Sequence, residues 1–423
     1  MLTLVEALNY RCLRFVRRPL SSFQVMVGPN ASGKTTFLDI ISFMRDLLSE
    51  GLEPAVRMRT QDFRDLVWQR AESGFFEMAV EAKVPVDRRQ KINSRLEYDY
   101  VRYQIRISLN EERNQYGIEE ESVFLLSDEV DEGNSSRESF PLPLQSPDSI
   151  LLSSSSPQVQ QVINKRSDGN DSFIPEADIG KGAPIWTPSF RLGPRKSALA
   201  NLPDDEEKFP VCTWLRELLL AGVQKLMLNS LVLREASPPG MGRSFRPDGS
   251  NLPWVISDLE KNDPERVTAW IEHLGTALLD IEGLRTSEIP DVHRRFLSIK
   301  YRGGLEVPSW TASDGTLRML ALTLLAYLPN LSGIFLIEEP ENGIHPKAVE
   351  AVFQSLRSVL GAQVLMATHS PVILAMADPG DVLCFAKDES GATDIVTGAE
   401  HPALREWKGN PSLGTLFAGG VLG

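Results

Sequence analysis

The run Gly28-Pro29-Asn30-Ala31-Ser32-Gly33-Lys34-Thr35 has the residue types and spacing to hold a polyphosphate. It lies between a short apolar run at 23–27 and a helical pattern of Phe37, Leu38, Ile41, Met44 and Leu48, with Gly51 as C-cap. A glycine-rich turn between a strand and a helix points successive N–H groups inward at phosphate oxygens. Gly28 and Gly33 permit the curl. Lys34 brings a positive charge to the β- and γ-phosphates, and Thr35 offers its hydroxyl to Mg²⁺. Thr36 continues the cradle, and the helix N-terminus adds partial positive charge. The ligand this implies is ATP with Mg²⁺.

A second run, Ile334-Phe335-Leu336-Ile337-Glu338-Glu339-Pro340, ends an apolar strand in two carboxylates. At the carboxyl edge of a parallel sheet such groups meet the ligand. Glu338 is the candidate for the metal's shell and Glu339 for polarising the attacking water. Two weaker runs follow the same logic. Ser313-Asp314-Gly315-Thr316-Leu317-Arg318 opens an apolar helix, where Ser313 also fits a plain N-cap. Thr368-His369-Ser370 ends another buried strand. The five histidines show no metal-ligand spacing, which argues against zinc.

The elements that must position these residues divide unevenly. Alternating apolar and polar residues over 75–109 predict antiparallel strands. Helices are expected over 213–233, 264–279, 314–328 and 346–360, with buried strands at 334–337, 363–367 and 381–386 and a short helix from Pro371. Strand–helix alternation in the last third implies a parallel sheet covered by helices. Residues 111–210 carry acidic clusters, a serine run and several prolines, and are expected to be loops or disorder in part, with 184–195 returning to the core. No internal repeat or sustained heptad is present.

The 423 residues, 42 % hydrophobic and 24 % charged, are enough for two or three compact units. The formal charge is -13, but residues 1–110 are net +4, so a local nucleic-acid contact is compatible with the acidic whole. No apolar run reaches membrane-spanning length, and the first residues lack a secretory pattern. Cys12, Cys212 and Cys384 lie far apart, which fits a reducing cytoplasm and no disulfide scaffold.

Taken in order, the cradle, Ser-Asp-Gly at a helix start, Glu-Glu after a strand and Thr-His-Ser after the next resemble the ABC-class ATPases. Within that class the chain is similar to the RecF, SMC and OLD group, whose head is split by an insertion. The resemblance implies an α/β P-loop NTPase with a split head: a mixed or parallel sheet with flanking helices, an antiparallel β subdomain, and a partly helical, partly disordered insertion. It divides the chain at 1–110, 111–300 (helical from 211) and 301–423. It also implies that Ser313 and Gly315 contact the γ-phosphate held by a second protomer, that His369 is the switch histidine, and that Glu339 is the catalytic glutamate beside Lys34. Glu338 stands where most of the class has aspartate, which implies slow hydrolysis. Gln61 is the nearest candidate for the Q-loop, with a plain surface position as its rival reading. Tyr10, Arg11 and Arg14 are candidates for touching the base.

The same resemblance implies an ATP-sandwiched homodimer, or a higher oligomer, that controls a separate effector in bacterial antiphage defence. OLD nucleases carry a TOPRIM module after the head; the 54 residues after His369 are too few for one. The uncharged apolar tail 409–423 is expected to dock on a surface, its own head or a partner's. The alternative is a RecF-like repair ATPase binding duplex DNA through Arg57, Arg59, Arg64, Arg70, Arg88, Arg89 and Lys91. A transporter subunit is disfavoured by the long insertion.

Overall fold

The computed structural model describes the chain except residues 72–73, 93–95, 111–114, 128–137, 144, 154–157, 180–188, 405–406, 408–410 and 423. Two sheets organise it. The P-loop strand Phe23–Val27 is buried at every residue and lies inside a six-stranded sheet. It pairs in parallel with Ala362–Ala367 on one side and Val382–Lys387 on the other. Beyond Ala362–Ala367 come Gly333–Glu338 and then Val223–Leu226, also parallel, while Thr393–Thr397 closes the opposite edge antiparallel. Segments some 340 residues apart in sequence thus sit side by side, and the carboxyl ends of the parallel strands share one edge.

The second sheet has eight antiparallel strands. Leu2–Tyr10 pairs with Leu13–Pro19 and with Phe75–Lys83, after which Tyr100–Asn110, Gln115–Leu126, Val159–Arg166, Asp171–Phe173 and Ser189–Phe190 follow in order. The P-loop helix Lys34–Glu50 fills the space between the two sheets. Its Phe37, Ile40, Ile41, Phe43, Met44 and Leu47 are fully buried in one cluster with residues of both. A buried amide stitches the sheets together. Gln363 donates to the carbonyls of Leu2 (2.9 Å) and Ser21 (2.8 Å) and accepts from the Leu2 N–H at 3.0 Å.

Three expectations need correction. The antiparallel sheet, expected to lie within residues 1–110, continues through Gln115–Leu126 and Val159–Arg166, while loops make up most of the other described residues of 111–210. Ile118, Val123 and Leu125 face the core, and the buried Glu121 carboxylate accepts from Ser197 Oγ (2.6 Å) and the Ala198 and Leu199 N–H groups. A composition argument counts such a carboxylate as solvated when it is in fact a buried acceptor. The serine run and residues 184–188 lie mostly outside the described residues. The helix expected over 213–233 breaks at Gly222: Pro210–Glu217 is helical, 218–222 forms a π turn, and Val223–Leu226 is the edge strand beside Gly333–Glu338. At the break the two segments pack closely: a Cβ on Gly333 would lie 2.3 Å from the Gly222 carbonyl oxygen. Finally, residues 211–300, expected to be helical, end in strands: Ile281–Ile289 and Arg294–Tyr301 form a three-stranded antiparallel sheet with Glu306–Pro308.

The remaining helices follow the apolar spacing closely. Pro264–Ala277, Asp314–Leu324 and Pro346–Arg357 begin where expected and end two to four residues early. The tail helix Leu413–Ala418 packs on Pro371–Met376, with Leu413 and Leu422 in the core. Gly414 is required there: a Cβ would lie 2.0 Å from the Pro371 carbonyl oxygen. The tail docks on its own head. No described helix is long and apolar enough to cross a membrane.

Candidate functional site

Each group of the site stands at the end of a parallel strand or the start of a helix. The loop from Gly28 to Gly33 joins the central strand to the P-loop helix. Gly28, Ala31 and Gly33 all have positive φ, at 153°, 62° and 109°. Glycine is needed at both ends, since a Cβ would meet the Phe385 carbonyl oxygen at 2.2 Å from Gly28 and Thr393 Oγ1 at 2.4 Å from Gly33. Thr393 Oγ1 in turn donates to the Ser32 carbonyl at 2.9 Å, which clamps the loop from the hairpin strand. Pro29 and Asn30 are exposed on the rim, and Thr36 Oγ1 accepts from Cys12 Sγ at 3.5 Å.

Lys34 Nζ is folded into this loop, donating to the carbonyls of Gly28 (2.7 Å) and Pro29 (2.8 Å). Burial lowers its pKa to about 8, opposed by the charge of Glu339. Thr35 Oγ1 donates to Glu338 Oε2 at 2.7 Å, across 303 residues of sequence. Two oxygens of this kind, one hydroxyl and one carboxylate, are the donor set of a hard divalent cation, so the pair fits Mg²⁺.

Glu339 follows with φ 47°, a left-handed conformation that non-glycine residues seldom adopt and that recurs at functional sites. Its N–H donates to the Ala367 carbonyl (2.8 Å), and its Oε2 accepts from Asn342 Nδ2 (2.7 Å), which holds the exposed carboxylate in place. Glu341 Oε1 accepts from Thr368 Oγ1 (2.7 Å) and the His369 N–H (3.0 Å). The loop after one strand is thereby tied to the loop after its neighbour. Burial lowers the pKa of His369, the Lys34 charge adds to this, and Glu339 and Glu341 oppose it. His369 is therefore biased towards the neutral imidazole.

Lys34, Thr35, Glu338, Glu339 and His369 share one edge. Ser313 and Gly315 stand elsewhere in the same half of the chain. Ser313 is exposed and caps its helix, accepting from the Thr316 N–H at 3.1 Å. Gly315 lies against the loop after Glu339, where a Cβ would meet the Gly343 carbonyl oxygen at 2.3 Å. Arg318 donates to the Asn342 carbonyl at 2.9 Å. Tyr10 is fully buried, with its hydroxyl on Asp39 (2.6 Å), and Arg11 pairs with the same carboxylate. Arg14 and Gln61 are exposed.

Sequence reading missed Asn342 and Lys225. Asn342 stands three residues after Glu339, with no spacing signal that singles it out. Lys225, whose Nζ is 2.7 Å from Glu338 Oε1, sits on the strand that was read as helix.

Among solved structures, the chain is similar to the Smc head bound to the C-winged helix domain of ScpA, at 14 % identity, with TM-score 0.53 and coverage of 94 % of this chain and 97 % of that one. It also matches the Smc head with an extended coiled coil bound to the C-terminal domain of ScpA from Pyrococcus furiosus, at 13 % identity, TM-score 0.49, covering 94 % and 96 %. A third match is the SMC head domain from Thermotoga maritima, at 9 % identity, TM-score 0.42, covering 94 % and 98 %. The first of these carries the fold, an ABC-type ATPase head. No curated protein matches the chain. Residues 23–375 match the family model described as "AAA domain, putative AbiEii toxin, Type IV TA system". Since that match spans most of the sequence, the chain belongs to this AAA-domain family of P-loop ATPases.

Proposed function

We propose that the chain binds ATP with Mg²⁺ in the Gly28–Thr36 cradle, hydrolyses it, and uses the cycle to close and open a homodimer that controls a separate effector. The observation that carries the reading is the 2.7 Å hydrogen bond between Thr35 Oγ1 and Glu338 Oε2. It joins a hydroxyl and a carboxylate from distant segments at the mouth of a phosphate cradle.

The backbone N–H groups of the loop and the Lys34 ammonium would bind the β- and γ-phosphates. Thr35 and Glu338 would hold Mg²⁺, whose contribution is to neutralise charge building on the phosphoryl oxygens. Glu339, oriented by Asn342, would accept the proton of the attacking water. His369 would face the same phosphate from the neighbouring strand, positioned through Glu341. Ser313, exposed at its helix start, and Gly315, half-exposed against the loop after Glu339, would serve the nucleotide of a second protomer. ATP would then bind the closed dimer more tightly than the open monomer, which is the condition for a nucleotide to drive closure.

The family's description names a putative toxin of a type IV TA system, and the Smc head named above is bound to a domain of a second protein. Both are compatible with a head acting on a separate partner; a role in bacterial antiphage defence in the cytoplasm is part of the proposal. The SMC-type fold also supports a second reading, a RecF- or SMC-like ATPase bound to DNA. The arginines first assigned to DNA weaken it. Arg57 pairs with Glu53, Arg59 with Asp39 and Asp46, Arg70 with Asp65, Arg88 with Glu206, and Arg89 with Asp99. Paired cations release few counterions on meeting a phosphate backbone.

Lys34→Ala tests the cradle. It is expected to weaken ATP binding at least a hundredfold in a calorimetric titration; unchanged affinity would refute the assignment.

A further inference from the structure

Glu338 is held from two sides. Its Oε2 accepts from Thr35 Oγ1, and its Oε1 lies 2.7 Å from Lys225 Nζ. Lys225 comes from the edge strand Val223–Leu226, in register with Leu336, two residues before Glu338. In a parallel pair that register places Lys225 on the same sheet face as Leu336 and Glu338. Val223 and Leu336 on that face pack in the cluster that contains the P-loop helix. The Lys225 side chain is 35 % exposed and that of Glu338 28 %, so the pair is partly shielded from bulk water and screened less than a fully exposed one. The close packing of Gly222 on Gly333 fixes the edge strand at the height where Lys225 reaches this oxygen.

We propose that Lys225 is a resident counter-cation that shares Glu338 with the divalent metal and thereby sets how strongly nucleotide binding depends on that metal. The inference rests on the reading that Thr35 and Glu338 take Mg²⁺. A second positive charge on the same carboxylate opposes the metal by like-charge repulsion and draws electron density away from its ligand. When the nucleotide arrives without metal, the same ammonium keeps Glu338 neutralised and spares the phosphates an uncompensated carboxylate. Lys225 acts through Glu338, so it is a positioning residue. The glutamate, one methylene longer than aspartate, carries both contacts at once.

The test compares ATP dissociation constants in excess EDTA and in excess MgCl₂, using a fluorescent ATP analogue, for the wild-type protein, Lys225→Met and Lys225→Arg. The ratio of the EDTA value to the Mg²⁺ value is the readout. Lys225→Met removes the charge and keeps the stem, and its ratio is expected to rise about tenfold. Lys225→Arg is expected to stay within about twofold of wild type. A purely structural role would weaken both constants together, and an unchanged or lower ratio in Lys225→Met overturns the proposal. Should Lys225→Met fail to fold, Lys225→Gln carries the same expectation. Absence of ATP binding to the wild-type protein in both buffers would instead refute the nucleotide reading beneath it.

Discussion

Lys34 is 6 % exposed and lies among carbonyl oxygens of its own loop, with a pKa near 8. A polyphosphate in the cradle stabilises the ammonium and raises that pKa, so binding takes up a proton wherever the free lysine has lost one. Affinity for ATP is then fully present below about pH 8 and falls as pH rises further, by up to about tenfold per unit. Titrations between pH 7 and 9.5 check this, and Lys34→Arg, whose guanidinium keeps its charge throughout, should flatten the profile. Residue types at the cradle were legible because each performs local chemistry at fixed spacing. Glu338 and Glu339 were legible for the same reason. The left-handed backbone at Glu339 and its tie to Asn342 were not, because they depend on the neighbouring strand's Ala367 carbonyl.

At the scale of elements, the segment 210–226 shows what apolar spacing cannot resolve. Leucines at 215, 218, 219 and 220 read as a helix to any periodicity test, and the helix does form as far as Glu217. It ends where the chain becomes a strand beside Gly333–Glu338, a pairing with a segment 111 residues away that local spacing cannot signal. The start of this helix is governed by another buried group. Glu176 accepts from the N–H groups of Val211 (2.5 Å) and Cys212 (2.8 Å) at its first turn. Burial raises its pKa from 4.5 to about 7, against the hydrogen bonds from Cys212 and Val211. The folded state thus binds more protons than the unfolded state between those values, and Glu176's contribution to stability is lost as pH rises through that window. Glu176→Gln mimics the protonated side chain. Relative to wild type, the variant should gain about 2–3 kcal/mol in urea denaturation between pH 4.5 and 7.5. A pH-independent difference would show that Glu176 does not titrate there.

At the scale of the whole molecule, the split of one sheet into segments at 23–27, 223–226, 333–338, 362–367 and 382–397 makes every functional group depend on the fold closing. The acidic balance of the chain does not oppose this site. Its carboxylates are spent on buried caps and ion pairs, such as Glu121, Glu176 and the Glu6–Arg102–Glu81 group, as well as on the surface. The antiparallel sheet beyond residue 110 was hidden in the sequence because those carboxylates masked its alternation. The measurement that bears most directly on the proposed function is the mass of Glu339→Gln in solution, by light scattering, with ATP and Mg²⁺ and with ADP. The variant keeps the cradle and removes the carboxylate proposed to accept the proton of the attacking water. It is expected to be a dimer retaining two unhydrolysed ATP molecules, and a monomer with ADP, with turnover at least a hundredfold below wild type. Wild-type turnover in this variant, or a mass indifferent to the nucleotide, would contradict an ATP-driven dimer whose hydrolysis depends on Glu339.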